Sequence, residues 1–490
     1  MVTERTASDN APDNVTQDNV ADNVTQNNVT DSANDNDSEN NNVTDSDNGN
    51  DNAADTAYSF HGTARGASHI ERNTPCEDAS DAFSDPSGRF HVAAVADGHG
   101  DPRCFRSQDG AKFAVKIAVD FLKEIASDKL SAPDNVRQRF FYDLFSNSRY
   151  RQIELRRWTD ILLRRWNQSV RDDYDNRPPT PADLEWLSPR LRDNVPHMYG
   201  TTLLAALWLP PALILLQQGD GRCVTLSDGA EIRFPVPWDS RCEGNVTTSL
   251  CDPDAPESFR FGLLDLRAIP VDACYLLTDG VEDAFRDTYS GFGGNHALMG
   301  GVRTFCEYLS AEASQRSAQG LSDFLPDFLK TFSARGLYGY GGSWDDVSAA
   351  GIARPDRLSQ SAEAFRRDVK IYGLEEDLFW KNDALRSGAR KHEILARRMS
   401  EARERLEAAK KLYGAEERPE TDNAEKAESD NVTELQELER VCSDAEAKFT
   451  EYDAKYQATT AERDRIQAEL SAMSGEDSAF APDVGEEQEL

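Results

Sequence analysis

Short apolar runs that stop at acidic or glycine-rich punctuation fill the middle of the chain. Phe90–Ala96 (FHVAAVA) runs into Asp97-Gly98-His99-Gly100, a pattern that predicts a buried strand entering a turn. Thr201–Leu209, Ala212–Gln218 and Arg222–Leu226 predict three strands in succession, divided by Pro210-Pro211 and by Gly219-Asp220-Gly221. Ala273–Thr278 predicts a strand that ends at Asp279-Gly280, and Val347–Ala353 a final one. Asp109–Ile125 carries Ala111, Val115, Ala118, Val119 and Leu122 at helical spacing, and Phe140–Val170 is helix-like, with Trp158 and Trp166 among leucines and arginines. Strands in hairpin succession, with helices set between blocks of them, predict an α+β domain of packed antiparallel sheets.

The periodicity changes after Pro355. Leu395, Met399, Ala402, Leu406, Ala409 and Tyr413 fall at alternating steps of four and three. So do Ala445, Phe449, Tyr452, Tyr456, Thr459, Arg463, Ile466, Leu470 and Met473. These are heptad seams with charged flanks, which predict a helical hairpin or coiled coil over 358–475, with an acidic linker near 414–432. The hairpin closes on itself or offers residues 390–473 to a second copy or a partner helix.

Composition changes the picture at the ends. The chain has 490 residues, 38% hydrophobic, with a formal net charge of −34. Residues 1–56 repeat Asp-Asn-Val-Thr and its variants, hold thirteen acidic side chains against Arg5 alone, and have no aromatic residue. Such a stretch buries too little surface to offset ordering entropy, so it predicts a disordered tail, as does the acidic end at 476–490. The domain itself is expected over 57–357. Acidity outside the tail excludes nucleic acid as the main partner, since phosphate contacts need clustered Lys and Arg. Eight scattered cysteines without a CxxC pair predict reduced thiols in a cytoplasmic protein. Leu203–Leu216 is broken by two prolines and too short to span a bilayer, so no membrane role is expected.

Four acidic marks remain: Glu77-Asp78, Asp97-Gly98-His99-Gly100, Asp279-Gly280 and Asp345-Asp346. An apolar strand that delivers an aspartate to its end places a carboxylate rigidly beside a cleft. Hard divalent cations take such oxygen donors, and two of them can clamp a phosphoryl group.

The order of these marks resembles the metal-dependent protein phosphatase family (type 2C, PPM), in a bacterial-type branch, over roughly Tyr58–Arg357. The resemblance rests on Cys76-Glu77-Asp78-Ala79, Val95-Ala96-Asp97-Gly98-His99-Gly100, Tyr199-Gly200-Thr201-Thr202, Gly219-Asp220-Gly221-Arg222, Leu276-Leu277-Thr278-Asp279-Gly280-Val281 and Asp345-Asp346-Val347-Ser348. It implies a sandwich of two antiparallel β-sheets flanked by helices, with two Mn²⁺ or Mg²⁺ ions at one edge and a third, weaker ion beside them. Asp97 would bridge the two metals, with the Gly98 carbonyl on one. Glu77 would hold the second metal, with Asp78 in its outer shell, and Asp279 and Asp345 the first. Asp220 would serve the third, and His99 would be the general acid. The family's phosphate-gripping arginine usually lies four residues before the acid matching Glu77, where this chain has Asn73; Arg72 and Arg65 are the neighbours within reach.

The implied function is hydrolysis of phosphoserine and phosphothreonine in a phosphoprotein, opposing a Ser/Thr kinase. Two rivals stand beside it. A pseudophosphatase would use the fold as a scaffold and act through the C-terminal helices. A hydrolase of small phosphoesters would need a deep pocket rather than an open site.

Overall fold

The structure, a computed structural model, describes residues 57–473 except 186, 228–230, 243–245, 286–295, 340–341 and 415–423. The expected tails at 1–56 and 476–490 lie outside the described residues. The first half runs β1 (Tyr58–Ala64), α1 (Ala67–Arg72), β2 (Ala79–Ser84), β3 (His91–Ala96), α2 (Ser107–Ser131), α3 (Asp134–Ser146), α4 (Ser148–Asn176) and α5 (Pro189–Arg192). There follow β4 (Leu203–Leu209), β5 (Ala212–Gln218), β6 (Arg222–Ser227), β7 (Glu231–Arg233), α6 (Ala255–Ser258) and β8 (Arg260–Asp265). The chain then forms β9 (Ala273–Leu277), α7 (Asp279–Glu282), α8 (His296–Ala313), α9 (Ala318–Arg335), β10 (Val347–Ala353), α10 (Pro355–Gly414) and α11 (Ala424–Met473).

The strands form two five-stranded antiparallel sheets, ordered β1-β10-β9-β6-β7 and β2-β3-β4-β5-β8. Both faces of each sheet are covered, which explains why the strands read as unbroken apolar runs rather than alternating ones. Ala93, Val95, Leu204, Ala206 and Leu215 of the second sheet meet Cys223, Cys274, Leu276, Ala350 and Ile352 of the first. The alternate residues Val92, Ala94 and Ala96 face α2, α3 and α4, against which Trp158 and Trp166 pack. On the opposite side Phe60, Tyr275 and Leu277 pack against α8, α9 and the start of α10 through Phe305, Phe332 and Phe365. The result is a helix–sheet–sheet–helix stack, as expected. Truncating Trp158 or Trp166 to Ala removes a side chain about 1% exposed, a change that costs roughly 3–5 kcal/mol in cores.

Two expectations need correction. The helix expected over Phe140–Val170 is two helices, because Asn147 is extended (φ −117°, ψ 96°) and its side chain caps α4 by accepting from the Tyr150 amide at 3.0 Å. The segment before Gly200 is packed as a cover on α2. Gly110 of α2 lies so close to it that a Cβ there would stand 1.9 Å from the Tyr199 carbonyl oxygen, and the Trp166 indole donates to the Gly110 carbonyl at 3.0 Å. The expected linker near 414–432 is shorter, since helix resumes at Ala424.

α10 begins under the first sheet, with Leu358 and Phe365 buried, and continues for 60 residues, a length of roughly 90 Å. α11 returns antiparallel along it: Lys370 pairs with Glu469, Lys381 with Glu462, His392 with Asp453, and Arg403 with Glu446. The seam residues are those that periodicity marked, with Ala402, Ala409, Ile466 and Leu470 buried. Among the described residues no helix is long and apolar enough to cross a membrane, and all eight cysteines are free thiols.

Candidate metal centre

The strand ends deliver their acids to one edge of the sandwich, where a cleft of about 1550 Å³ opens. Glu77, Asp97, Gly98, His99, Asp220, Asp279, Asp345 and Arg72 all line it. Asp97 follows β3, and its position is fixed by Thr202: the Asp97 amide donates to Thr202 Oγ1 at 2.9 Å, while the Asp97 carbonyl accepts from the Thr202 amide at 2.8 Å. Thr201 Oγ1 donates to the same carbonyl at 2.8 Å. The Gly-Thr-Thr segment is thus a clamp on the Asp-Gly-His-Gly turn. The Gly219-Asp220-Gly221 turn aims Asp220, with Gly219 at φ +106°, a conformation that side-chain-bearing residues rarely adopt. Gly280 lets the backbone after β9 approach β10: a Cβ there would meet the Asp346 carbonyl oxygen at 2.1 Å.

Asp97, Asp220 and Asp279 each place a carboxyl oxygen within 4.8 Å of the others. This crowding, with burial, raises the acids. The Asp97 carboxyl is held well above the usual carboxylate range by burial and by the charges of Asp279 and Asp78. Burial and Asp220 push Asp279 up to about 7. Asp78 is raised well above its usual value by burial, then by Asp346 and Asp279, and it accepts from Thr278 Oγ1 at 2.9 Å. Glu77 is raised by burial, with the Ser107 hydroxyl, which donates to its Oε1 at 2.7 Å, pulling the other way. Buried oxygen donors that crowd one another in this way suit a hard divalent cation, whose charge reverses the penalty of ionising them.

Glu77 and Asp345 line the same cleft but stand outside the three-acid cluster. Asp345 keeps 52% of its side chain exposed. Its neighbour Asp346 points inward and is the residue that ties the cleft together. It accepts from the Gly66 and Glu77 amides, each at 2.6 Å, and its Oδ2 lies 2.9 Å from His69 Nδ1. Sequence reasoning read the Asp-Asp pair but gave Asp346 no work; strand alternation, which sends adjacent side chains to opposite sides, was the available signal. It also missed Ser107 and the role of His69, which no motif spacing marks.

His99 stands where Gly200 has no side chain; a Cβ at Gly200 would meet His99 Cδ2 at 2.6 Å. Burial holds the His99 pKa below the ordinary imidazole value, with Asp220 and Asp252 opposing. Three arginines line the cleft. Arg103 is engaged by Asp101 and Arg222 by Glu282. Arg72 bonds only the carbonyl and hydroxyl of Ser68, at 3.2 and 2.9 Å, so its charge is not neutralised by a carboxylate among the described residues. Arg65 turns away, donating to the His69 carbonyl at 2.9 Å.

With that geometry in place, comparison with known proteins gives a family. The model of protein phosphatase 2C matches residues 65–326. Similar solved structures include a bacterial serine phosphatase, 15% identical over 61% of this chain and 97% of that one, with a TM-score of 0.34. The Staphylococcus aureus serine/threonine phosphatase Stp1 is 15% identical over 61% and 94%, with a TM-score of 0.33. The Mycobacterium tuberculosis serine/threonine phosphatase PstP/Ppp is 16% identical over 61% and 98%, with a TM-score of 0.33. Comparison with curated protein sequences gives no match.

Proposed function

The chain belongs to the protein phosphatase 2C family, and on that premise we propose that it hydrolyses phosphoserine and phosphothreonine in proteins with divalent cations bound in the acidic cleft. The observation that carries this reading is the convergence of Asp97, Asp220 and Asp279 within 4.8 Å, with His99 and Arg72 lining the same cleft.

Asp97, Asp279, Asp345, Glu77 and the Gly98 carbonyl are the donors for two Mn²⁺ or Mg²⁺ ions, with Asp220 serving a third and Asp78 orienting from behind. When bound, such ions supply Lewis acidity, lowering the pKa of water and neutralising charge on phosphoryl oxygens. The chain's own residues do the rest. Arg72, whose guanidinium meets only Ser68 and no carboxylate among the described residues, is placed to grip phosphate oxygens, in place of the arginine that Asn73 does not provide. His99, half-buried beside Gly200, is the group to protonate the leaving serine or threonine oxygen. The Asp346 carboxylate fixes Glu77 and α1 and so sets the cleft's width.

The cleft exceeds the roughly 300–1,000 Å³ of small-molecule pockets, which favours a protein segment over a small phosphoester. The test is phosphate release from a phosphothreonine peptide with Mn²⁺, beside EDTA and an Asp279→Asn variant. Turnover that needs metal and vanishes in the variant is expected. No turnover together with no Mn²⁺ binding would leave the scaffold reading, which Asn73 favours.

A further inference from the structure

A second, smaller cavity of about 330 Å³ lies beside the metal cleft, between the sandwich and α10. Asp283 and Trp344 line both spaces, so the two adjoin. Its walls are aromatic: Tyr338 and Trp344 from the segment before β10, Tyr372 and Trp380 from α10. Two carboxylates, Asp283 and Glu376, complete it.

Its construction is specific. Trp344 sits at φ +62°, a strained conformation for a bulky residue. It is held there by two backbone bonds, its amide donating to the Ser333 carbonyl at 3.0 Å and its carbonyl accepting from the Ser68 amide at 2.9 Å. Even so the residue is 47% exposed, next to Asp345. Tyr338 lies against α10 where Gly373 leaves room, since a Cβ there would stand 2.6 Å from its ring, and its hydroxyl donates to the Val369 carbonyl at 2.5 Å. The Tyr338 and Tyr372 ring centroids are 5.8 Å apart, and burial with the neighbouring Glu376 carboxylate holds the Tyr372 hydroxyl above its ordinary pKa.

Aromatic faces attract cations, and carboxylates at the same cavity add to that attraction. Glu376 and Asp283 form no ion pair with a described lysine, arginine or histidine. Among the described residues, no cation supplies the charge complement of this cavity. We propose that it is a subsite for a cationic side chain, arginine or lysine, of the phosphoprotein segment whose phosphoresidue enters the metal cleft. The proposal rests on the phosphatase reading for its choice of ligand. It makes α10 part of the substrate-binding surface, and basic residues near the phosphosite the mark of a good substrate.

The experiment uses the full chain with Mn²⁺ and phosphothreonine peptides that differ only in arginine or citrulline at one position, scanned over the three residues on either side. A small aryl phosphate reports the cleft alone. One position is expected to favour arginine by about tenfold in kcat/KM, as a partly desolvated cation–π contact allows. The preference should fall to about twofold in Glu376→Gln and in Tyr372→Leu, with turnover of the aryl phosphate unchanged. Equal use of arginine and citrulline at every position, or a preference that survives both variants, overturns the subsite. If neither peptide nor aryl phosphate turns over, the phosphatase reading fails separately. Fluorescence anisotropy with the same peptide pairs then decides the subsite: tighter binding of the arginine form that Glu376→Gln abolishes supports it, and equal binding overturns it.

Discussion

The cleft and the C-terminal hairpin are both rich in acids, and they treat them in opposite ways. Along α10 and α11 each named acid faces a cation: Glu469 faces Lys370, Glu462 faces Lys381, and Glu446 faces Arg403. In the cleft Asp97, Asp220 and Asp279 face one another within 4.8 Å. The hairpin's pairs lie at the surface, where water already satisfies them, and they add register more than stability. The cleft's acids are half-buried and repel one another. Folding tolerates such an arrangement where a ligand of opposite charge repays it, so the unbalanced region marks the site and the balanced one the scaffold.

The contrast is broken most severely at Asp279. Asp279→Asn removes a donor from the cluster, and Mn²⁺-dependent turnover of a phosphothreonine peptide is expected to fall roughly a thousandfold, the several kcal/mol that a lost metal interaction represents. The same change relieves repulsion, so the metal-free variant should melt above the metal-free wild type in calorimetry. A variant both inactive and less stable without metal would show that Asp279 is an ordinary structural residue.

The next effect is on pH. The folded-state carboxyls of Asp78, Asp97 and Asp279 are all raised, chiefly by burial, Asp279 to about 7. Between the unfolded carboxyl pKa of about 4 and the folded value, the folded state holds protons that the unfolded state has released. Stability of the metal-free protein therefore falls as pH rises through this window and levels off above it. Melting in EDTA should drop between pH 5 and pH 8, and Mn²⁺ should raise the melting temperature more at the higher pH. A metal-induced shift that is the same at both pH values would sink this account.

Much of this region was legible in sequence because two constraints coincide there. A strand buried on both faces must be apolar throughout, so β3, β4, β5, β9 and β10 stood out, and each acid at a strand end broke the run. β1 (YSFHGTA) and β2 (ASDAFS) were not read, since their polar residues face one another between the sheets and hydrogen-bond there, Ser59 with Ser84 at 2.9 Å and Thr63 with Ser80 at 2.7 Å, so neither strand is an apolar run. β7 has three residues and β8 ends in loops, too little pattern to separate from turns. The seams of α10 and α11 were readable from period alone. The helical region was expected from 358, and α10 begins close by at Pro355, its first turns packed on α8. Asp346, His69 and Ser107 act by pointing across the cleft at groups distant in sequence, and a linear spacing carries no trace of that.

Backbone approach is the third way to test the contrast. Gly280→Ala would place a Cβ 2.1 Å from the Asp346 carbonyl oxygen, and separating β9 from β10 to relieve it is expected to cost about 1–3 kcal/mol in urea unfolding. Because Asp279 and Asp346 both move, Mn²⁺ affinity should fall as well. An alanine at Gly388 of α10 is the matched control: there the nearest atom is the flexible end of Tyr452, its hydroxyl, at 3.0 Å, and neither stability nor Mn²⁺ affinity should change much. Equal losses at the two glycines would mean that the cleft's backbone is no more constrained than the hairpin's.

The smallest effect belongs to the hairpin's charges. Lys381→Glu sets two like charges opposite one another at Glu462, on a face open to solvent. A slight lowering of the melting temperature is expected, fading at high salt as screening shortens the reach of exposed charges. The double variant Lys381→Glu, Glu462→Lys should restore it, and turnover of a small aryl phosphate should be unaffected throughout. Salt should act differently on the cleft, whose acids are half-buried and so screened less, so the melting difference between metal-free wild type and Asp279→Asn should persist where the hairpin's effect has vanished. If both effects faded together with salt, the cleft's repulsion would be a surface effect like the hairpin's, and the distinction drawn between the two regions would fail.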